Sequence, residues 1–260
     1  QMIGAIVGDI IGSRFEWNNQ KSKEFLLFSD KCKPTDDSNM TLAVAKAILE
    51  CEGDYSLLSE KTAKCMREVG RRYPDCGYGG MFSEWLRSDS MGDYNSLGNG
   101  AGMRVSPCGF AATSPSEALL LSGYVTKVTH SHPEGLKGAE AITKAIFDAR
   151  LGLSKEKIRK SCERYYNLDF TLDEIRDDYK FDVTCQGSVP QAIKAFLESD
   201  SFEDTIRNAI SIGGDSDTIA AMAGGIAEAY YGVPYEIRMK AEAYLDDYQL
   251  GILREFERKM

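Results

Sequence analysis

With 260 residues, 43% of them hydrophobic and 27% charged, the chain is long enough for one domain with a substantial core and has the balance of a water-soluble protein. The 40 acidic and 31 basic residues leave a net charge of −9, which argues against nucleic acid as the main partner, because phosphate backbones are bound by basic surfaces. No apolar run approaches the roughly 20 residues of a membrane span, and the first residues lack the basic, apolar and small-residue blocks of a secretory leader, so a cytoplasmic protein is expected.

Taken in chain order, residues 3–13 place Ile3, Ile6, Val7 and Ile10 at helical spacing, with Gly4, Gly8 and Gly12 recurring every fourth residue. Each glycine costs a helix about 1 kcal/mol relative to alanine, so the row is tolerable where another element packs at very close range. Residues 40–51 repeat the apolar spacing with Leu42, Ala45, Ile48 and Leu49. Between Tyr73 and Ser114 the chain is rich in Gly, Ser, Asp and Asn and periodicity fades, which predicts a long irregular segment of the kind that tends to be functional. Helices are expected over 116–128 and 134–150, the second behind Pro133 with Ala139, Ile142, Ala145, Ile146 and Ala149 on one stripe. Thr171-x-x-Glu174 has the form of a capping box and Ser201-x-x-Asp204 a weaker one. Ile219, Met222, Ala223, Ile226, Ala227 and Tyr230 mark a helix over 218–230, and Pro234 opens a last helical region. No alternating strands, internal repeat or low-complexity linker interrupts the pattern. The expectation is one all-α domain over residues 1–260, with the irregular segment forming part of a cleft.

The 7 cysteines are scattered and never spaced C-x-x-C, which fits reduced packing residues rather than disulfides or a zinc site. The chemistry concentrates instead in Thr35-Asp36-Asp37-Ser38 and Gly213-Gly214-Asp215-Ser216-Asp217-Thr218, each just ahead of a strongly periodic helix. Either cluster alone reads as a helix N-cap, where Asp, Ser and Thr are preferred and carboxylates favour the helix dipole. Together they offer more: a cap needs one side-chain oxygen, whereas each cluster has two carboxylates and a hydroxyl. Crowded like charges call for something positive among them. If the two helix starts meet, their hard oxygen donors, without His or Cys, suit Mg²⁺, Mn²⁺ or Ca²⁺ rather than Zn²⁺.

These two motifs, T-D-D-S-N-M-T at 35–41 and G-G-D-S-D-T-I-A at 213–220, resemble the signatures of the ADP-ribosylglycohydrolase family. The resemblance continues through 4–16, G-Y-G-G at 77–80, S-L-G-N-G-A-G-M-R-V at 96–105, T-H at 129–130 and 223–232, nearly the whole chain. It implies an orthogonal all-α bundle with two divalent cations, Mg²⁺ or Mn²⁺, in a central cleft. Carried over, Thr35, Asp36 and Asp37 ligate one side and Asp215, Asp217 and Thr218 the other. Gly79, Gly80, Ser96, Leu97, Gly98, Asn99, Gly100 and His130 contact the substrate, the glycine-rich loop through backbone amides. Glu16 lies near the scissile bond, and Glu16, Asp36 or Asp37 takes the proton of the attacking water. Read without the family, the loop is a flexible turn, His130 a hydrogen-bonded structural histidine and Glu16 a solvated carboxylate. His132 is taken as structural, and Arg104 as part of a structural ion pair.

The implied activity is metal-assisted release of ADP-ribose from a modified protein or small molecule, by a monomer or weak oligomer that binds neither membrane nor nucleic acid in general. The alternatives keep the site and change the leaving group (O-acetyl, 1″-phosphate or a nucleotide in place of a protein side chain), or keep the fold as a non-catalytic ADP-ribose-binding protein. The Lys31-Cys32-Lys33-Pro34 stretch and the short chain depart from the family at the pocket rim. A helical phosphohydrolase of the HD type is excluded, because the two histidines of T-H-S-H do not supply its separated metal ligands.

Overall fold

The apolar stripes become fifteen α-helices and two short 3₁₀ turns in a computed structural model describing residues 1–260. In chain order they are α1 (Ile3–Gly12), α2 (Asp36–Cys51), α3 (Leu58–Arg72), α4 (Gly80–Arg87), α5 (Gly100–Met103), α6 (Ser106–Ala111), α7 (Pro115–Thr126) and α8 (Pro133–Arg150). There follow α9 (Lys155–Cys162), α10 (Leu172–Ile175), α11 (Val189–Leu197), α12 (Phe202–Ser211), α13 (Ser216–Tyr231), α14 (Tyr235–Glu242) and α15 (Asp247–Lys259). The only strand-like pairing is an isolated antiparallel bridge between Gly98 and Thr184. The fold is therefore all-α, and a single hydrophobic cluster of 69 buried residues runs through it from Met2 to Phe256. No helix is long and apolar enough to cross a membrane.

Two expectations need correction. The stretch from Tyr73 to Ser114 is not one irregular segment: it contains α4, α5 and α6. In α4, Phe82, Trp85 and Leu86 share a buried face at i, i+3, i+4 spacing, and α6 starts with Pro107 in its first turn, where a missing N–H costs nothing. The last helical region is two helices rather than one, because Asp246 and Gln249 form a capping box that starts a new helix. The expected box at Thr171 and Glu174 is present, as is the Ser201 cap on Asp204 N.

The fold's central feature is the packing of α1 on α13. All ten residues of α1 are buried. A Cβ added at Gly4 would lie 2.4 Å from Gly224 O, at Gly8 2.0 Å from Ala220 O, and at Gly12 2.6 Å from Asp217 Cα. The glycine row thus lets two helix backbones touch, which compensates the helix propensity it gives up. At one end of this seam Glu228, 2% exposed, accepts a bond from Gly4 N at 3.0 Å. At the other, the first turn of α13 meets the first turn of α2.

Glu228 makes the seam pH-sensitive. Burial pushes its carboxyl up to about 7 from an ordinary 4.5. A raised folded-state pKa means that its contribution is largest below pH 4.5, falls as pH rises through 7, and is level above. The difference is about 3 kcal/mol. Glu228→Gln keeps an acceptor for Gly4 N and removes the titration, so its urea-unfolding free energy is expected to fall less than wild type between pH 4.5 and 7.5. Parallel profiles for the two proteins would show that Glu228 does not titrate across this range.

Candidate active site

The two acidic clusters meet. Asp215 and Asp217 lie at the start of α13 and Thr35, Asp36 and Asp37 at the start of α2, with Asp9 of α1 and Glu16 beside them. Gly213 and Gly214 bring the chain into α13 with φ of +71° and +75°, the left-handed region that glycine enters freely. A side chain at Gly214 would also strike Tyr179, whose Cε1 is 2.4 Å from the position of a Cβ. Carboxylate oxygens of Asp9, Asp37 and Asp217 lie within 4.8 Å of one another, as do those of Glu16, Asp215 and Asp217. Asp217 belongs to both groups.

Asp9 was given no role by the sequence. It is fully buried, and its carboxylate accepts from Thr35 N at 2.8 Å, Thr35 Oγ1 at 2.6 Å, Ser38 N at 3.1 Å and Ser38 Oγ. It therefore caps α2 from a neighbouring helix, satisfying two of the first amides and complementing the dipole. A lone carboxylate among the apolar residues and glycines of α1 was the available signal.

Thr35 Oγ1 accepts from Asp37 N, so its single hydrogen goes to Asp9. The same oxygen nevertheless lies 3.1 Å from Asp37 Oδ1 and 3.4 Å from Asp217 Oδ2. One proton cannot satisfy three carboxylates. Asp37 Oδ2 is buried with no hydrogen-bond partner at all. Burial, reinforced by Asp9, Asp36 and Asp215, holds the Asp37 carboxyl well above the usual range; Asp36 is raised by burial and then by Asp9, Glu16 and Asp215, and Asp217 by burial and then by Asp37, Asp215, Asp9 and Glu16. Burial followed by the charges of Asp215 and Asp9 pushes Glu16 up to about 7, against a weaker pull from Lys33. Unpaired carboxylate oxygens raised in this way fit hard divalent cations and leave little place for a soft one.

Above the cluster opens a cleft of about 440 Å³, within the range of small-molecule sites. Of the expected substrate residues, Glu16, Gly79, Gly80, Ser96, Gly98, Asn99, Gly100 and His130 line it, with Asp36, Asp37, Asp215 and Thr218 at its base. Thr35 and Asp217 lie beneath, 4% and 2% exposed. Leu97 is not part of the lining; its carbonyl accepts from Cys185 N at 3.0 Å.

The glycine-rich loop is more committed than expected. Asn99 N donates to Val183 O at 2.7 Å and Gly98 N to Ser96 Oγ at 3.1 Å, so neither amide is free for a ligand. Asn99 contributes its side chain instead, donating to Asp215 Oδ2 at 2.7 Å. Gly100 opens α5 and its own amide has no partner, whereas Ala101 N and Gly102 N donate to Gly98 O and Asn99 O at 3.2 and 2.9 Å.

Arg104 forms no ion pair, contrary to expectation. It is fully buried, and Nη2 donates to Val125 O and Thr129 Oγ1, both at 2.9 Å. The Thr129 hydroxyl, accepting from Arg104, also lies 2.6 Å from His130 Nδ1. His130 Nε2 faces the Gly98–Gly100 loop; a Cβ on Gly100 would lie 3.0 Å from it. Burial and Arg104 hold the His130 pKa well below its usual value. His130 is thus a neutral imidazole on the wall of the cleft. His132 is structural as expected, capping α8 through Nδ1 and Glu134 N at 3.0 Å. All seven cysteines are free thiols.

Comparisons with known proteins converge. A family model described as ADP-ribosylglycohydrolase matches residues 1–250. The chain is 27% identical to ADP-ribosylhydrolase ARH3 of Xenopus tropicalis, covering 94% of this chain and 91% of that protein. It is 25% identical to ADP-ribosylarginine hydrolase Tri1 of Pseudomonas putida strain GB-1, over 89% of this chain and 70% of the relative. A solved structure titled "ADP-ribosylglycohydrolase-related protein complex" superposes with a TM-score of 0.69 at 24% identity, covering 97% and 95% of the two chains.

Proposed function

From a chain that belongs to the ADP-ribosylglycohydrolase family, we propose an enzyme that hydrolyses the bond at C1″ of the distal ribose and frees ADP-ribose from a modified protein or small-molecule conjugate. The observation that carries this reading is the meeting of Glu16, Asp37, Asp215 and Asp217 at the base of a 440 Å³ cleft, with a buried Asp37 oxygen left without a partner. The relatives named ADP-ribosylhydrolase and ADP-ribosylarginine hydrolase support it.

In this reading Thr35, Asp36, Asp37, Asp215, Asp217 and Thr218 hold two divalent cations, Mg²⁺ or Mn²⁺. When bound, such ions supply Lewis-acid polarisation and lower the pKa of water. The remaining work falls to the chain. His130 presents Nε2 to the diphosphate side, and the Gly98–Gly100 loop, held by Asn99, bounds that side closely. Glu16, at the cleft wall beside Asp215 and Asp217, is placed to take a proton from water and return one to the leaving group. Asp36 and Asp37 are the other carboxylates within the same wall.

The test is product release from ADP-ribosyl-arginine, ADP-ribosyl-serine, O-acetyl-ADP-ribose and ADP-ribose-1″-phosphate, first with Mg²⁺ and then with EDTA. Release of ADP-ribose from at least one conjugate, lost in EDTA, is expected. ADP-ribose binding with no release from any of them would make the protein a binding module.

A further inference from the structure

One buried charge has no task in the hydrolysis as described. Arg104, between α5 and α6, is fully buried and held through Nη2 alone; its Nε and Nη1 are buried without a hydrogen-bond partner. Burial pulls its pKa down to about 10, so it remains a cation at neutral pH. A buried cation without a carboxylate weighs against folding, and an apolar side chain of similar length would fill the space without that cost. Part of the explanation is structural. Nη2 lies 2.9 Å from Val125 O and 3.5 Å from Thr126 O, at the end of α7, where a cation suits the helix dipole.

The third contact leads to the cleft. The same Nη2 donates to Thr129 Oγ1 at 2.9 Å, and that hydroxyl lies 2.6 Å from His130 Nδ1. Arg104, Thr129 and His130 thus form an unbroken polar chain at the cleft wall, which Arg104 and His130 both line. At its far end His130 Nε2 faces the glycine loop, 3.0 Å from where a Cβ on Gly100 would lie and 3.6 Å from one on Gly98.

The other groups around the ring do not replace this charge. Tyr94 stands 5.9 Å away between ring centroids, and burial pushes its hydroxyl up to about 12, so it is neutral. From α8 comes Gly135, where a Cβ would lie 3.2 Å from His130 Cβ. The nearby carboxylates are engaged: Asp93 accepts from Ser131 Oγ at 2.7 Å, and Glu134 pairs with Lys137 at 3.1 Å. Asp215 lies across the glycine loop, bonded to Asn99 at 2.7 Å. An imidazolium would be drawn toward that acidic cluster, and the positive charge of Arg104 opposes its formation. Resting on the hydrolase reading above, we infer that Arg104 is a positioning residue that holds the His130 ring against the glycine loop through Thr129 and keeps it uncharged, so that its contribution to ADP-ribose binding is the same from pH 5 to 8. Position comes from the hydroxyl and neutrality from the charge, so substitution separates them.

The chain has 2 histidines, so His132→Asn, which keeps a capping side chain on α8, leaves His130 as the one imidazole. In this background, with Mg²⁺, the ring is titrated by NMR from pH 8 to 5, alone and combined with Arg104→Lys, Arg104→Gln or Thr129→Val. With Arg104 in place, and in Arg104→Lys, which keeps the charge, the ring is expected to stay neutral throughout. In Arg104→Gln its protonated fraction at pH 5 rises about fivefold or more. Thr129→Val leaves the ring neutral but weakens ADP-ribose binding at pH 7.5 about fivefold, because the bond that aligns it is lost. A purely structural Arg104 would lower the melting temperature in Arg104→Lys and Arg104→Gln alike without changing the titration, and that result overturns the inference. So does a ring that titrates above pH 5 with Arg104 present, or an unchanged ADP-ribose affinity in Thr129→Val. These last two measurements decide the matter even where Arg104→Gln does not fold. Failure to bind ADP-ribose or to hydrolyse any conjugate defeats the hydrolase reading instead, and the ring titration, which needs no ligand, still tests the hold of Arg104 on His130.

Discussion

Asp37→Asn is expected to abolish turnover and at the same time to raise the melting temperature of the protein in EDTA. The two effects have one origin. Asp37 is 2% exposed, its Oδ2 has no partner, and its carboxyl is held well above the usual range by burial and by Asp9, Asp36 and Asp215. Without a cation this is stored repulsion, and a neutral amide of the same shape relieves it. At about 2–4 °C per kcal/mol for a protein of this size, a gain of even 1 kcal/mol is measurable by calorimetry. In Mg²⁺ the order inverts. Wild type at a hundredfold excess over Kd gains about 2.7 kcal/mol, whereas a variant lacking a ligand oxygen gains much less. Loss of about 4 kcal/mol of transition-state stabilisation corresponds to a turnover about 10³-fold lower. Wild-type turnover in the variant, or a lower melting temperature in EDTA, would remove Asp37 from the ligand set.

The second large effect concerns the seam. Gly8→Val is expected to leave little folded protein at 37 °C. The first added carbon would lie 2.0 Å from Ala220 O, 2.4 Å from Ala220 C and 2.8 Å from Ala221 N. These are backbone atoms of α13, so no rotamer change makes room. Overpacking typically costs about 1–3 kcal/mol, and here the helices must part along their whole contact, against a total stability of about 5–15 kcal/mol. Gly251→Val is the control: nothing lies within 4 Å of a Cβ at Gly251 in α15. Helix propensity alone would move the two variants alike, so similar circular-dichroism melts for both would show that the close approach of α1 and α13 is not what Gly8 provides.

Much of this architecture was legible because periodicity and capping are local. The four-residue glycine row announced a close helix contact, and the Thr171 and Ser201 caps fall where their spacing put them. What escaped was decided at a distance. Helix α3 buries Leu58, Cys65, Met66 and Val69 on a stripe interrupted by Thr62. Helices α5 and α6 are four and six residues long, too short to show a period, and form because they are enclosed. At the site, the residues of both acidic motifs could be named, but not the partners of each oxygen. Asp9 sits in a helix that otherwise reads as pure core, and its value as a cap for α2 exists only once α1 and α2 are adjacent. Arg104 was expected in an ion pair; its Nη2 is bonded to Val125 O and Thr129 Oγ1, while Nε and Nη1 are buried without a partner.

The α1–α13 seam also has a consequence in time. Gly4 and Glu228, which bond across it, are 224 residues apart in the chain. On a ribosome adding about 5–20 residues per second, α1 emerges first and waits roughly 10–40 s for its partner to be synthesised. Throughout that interval a helix whose every residue is core has α2 beside it but lacks its main partner, and its glycines give it little stability alone. The same contact that completes the acidic cluster is thus among the last that a nascent chain can make. Until it forms, the face of α1 that meets α13 stays uncovered.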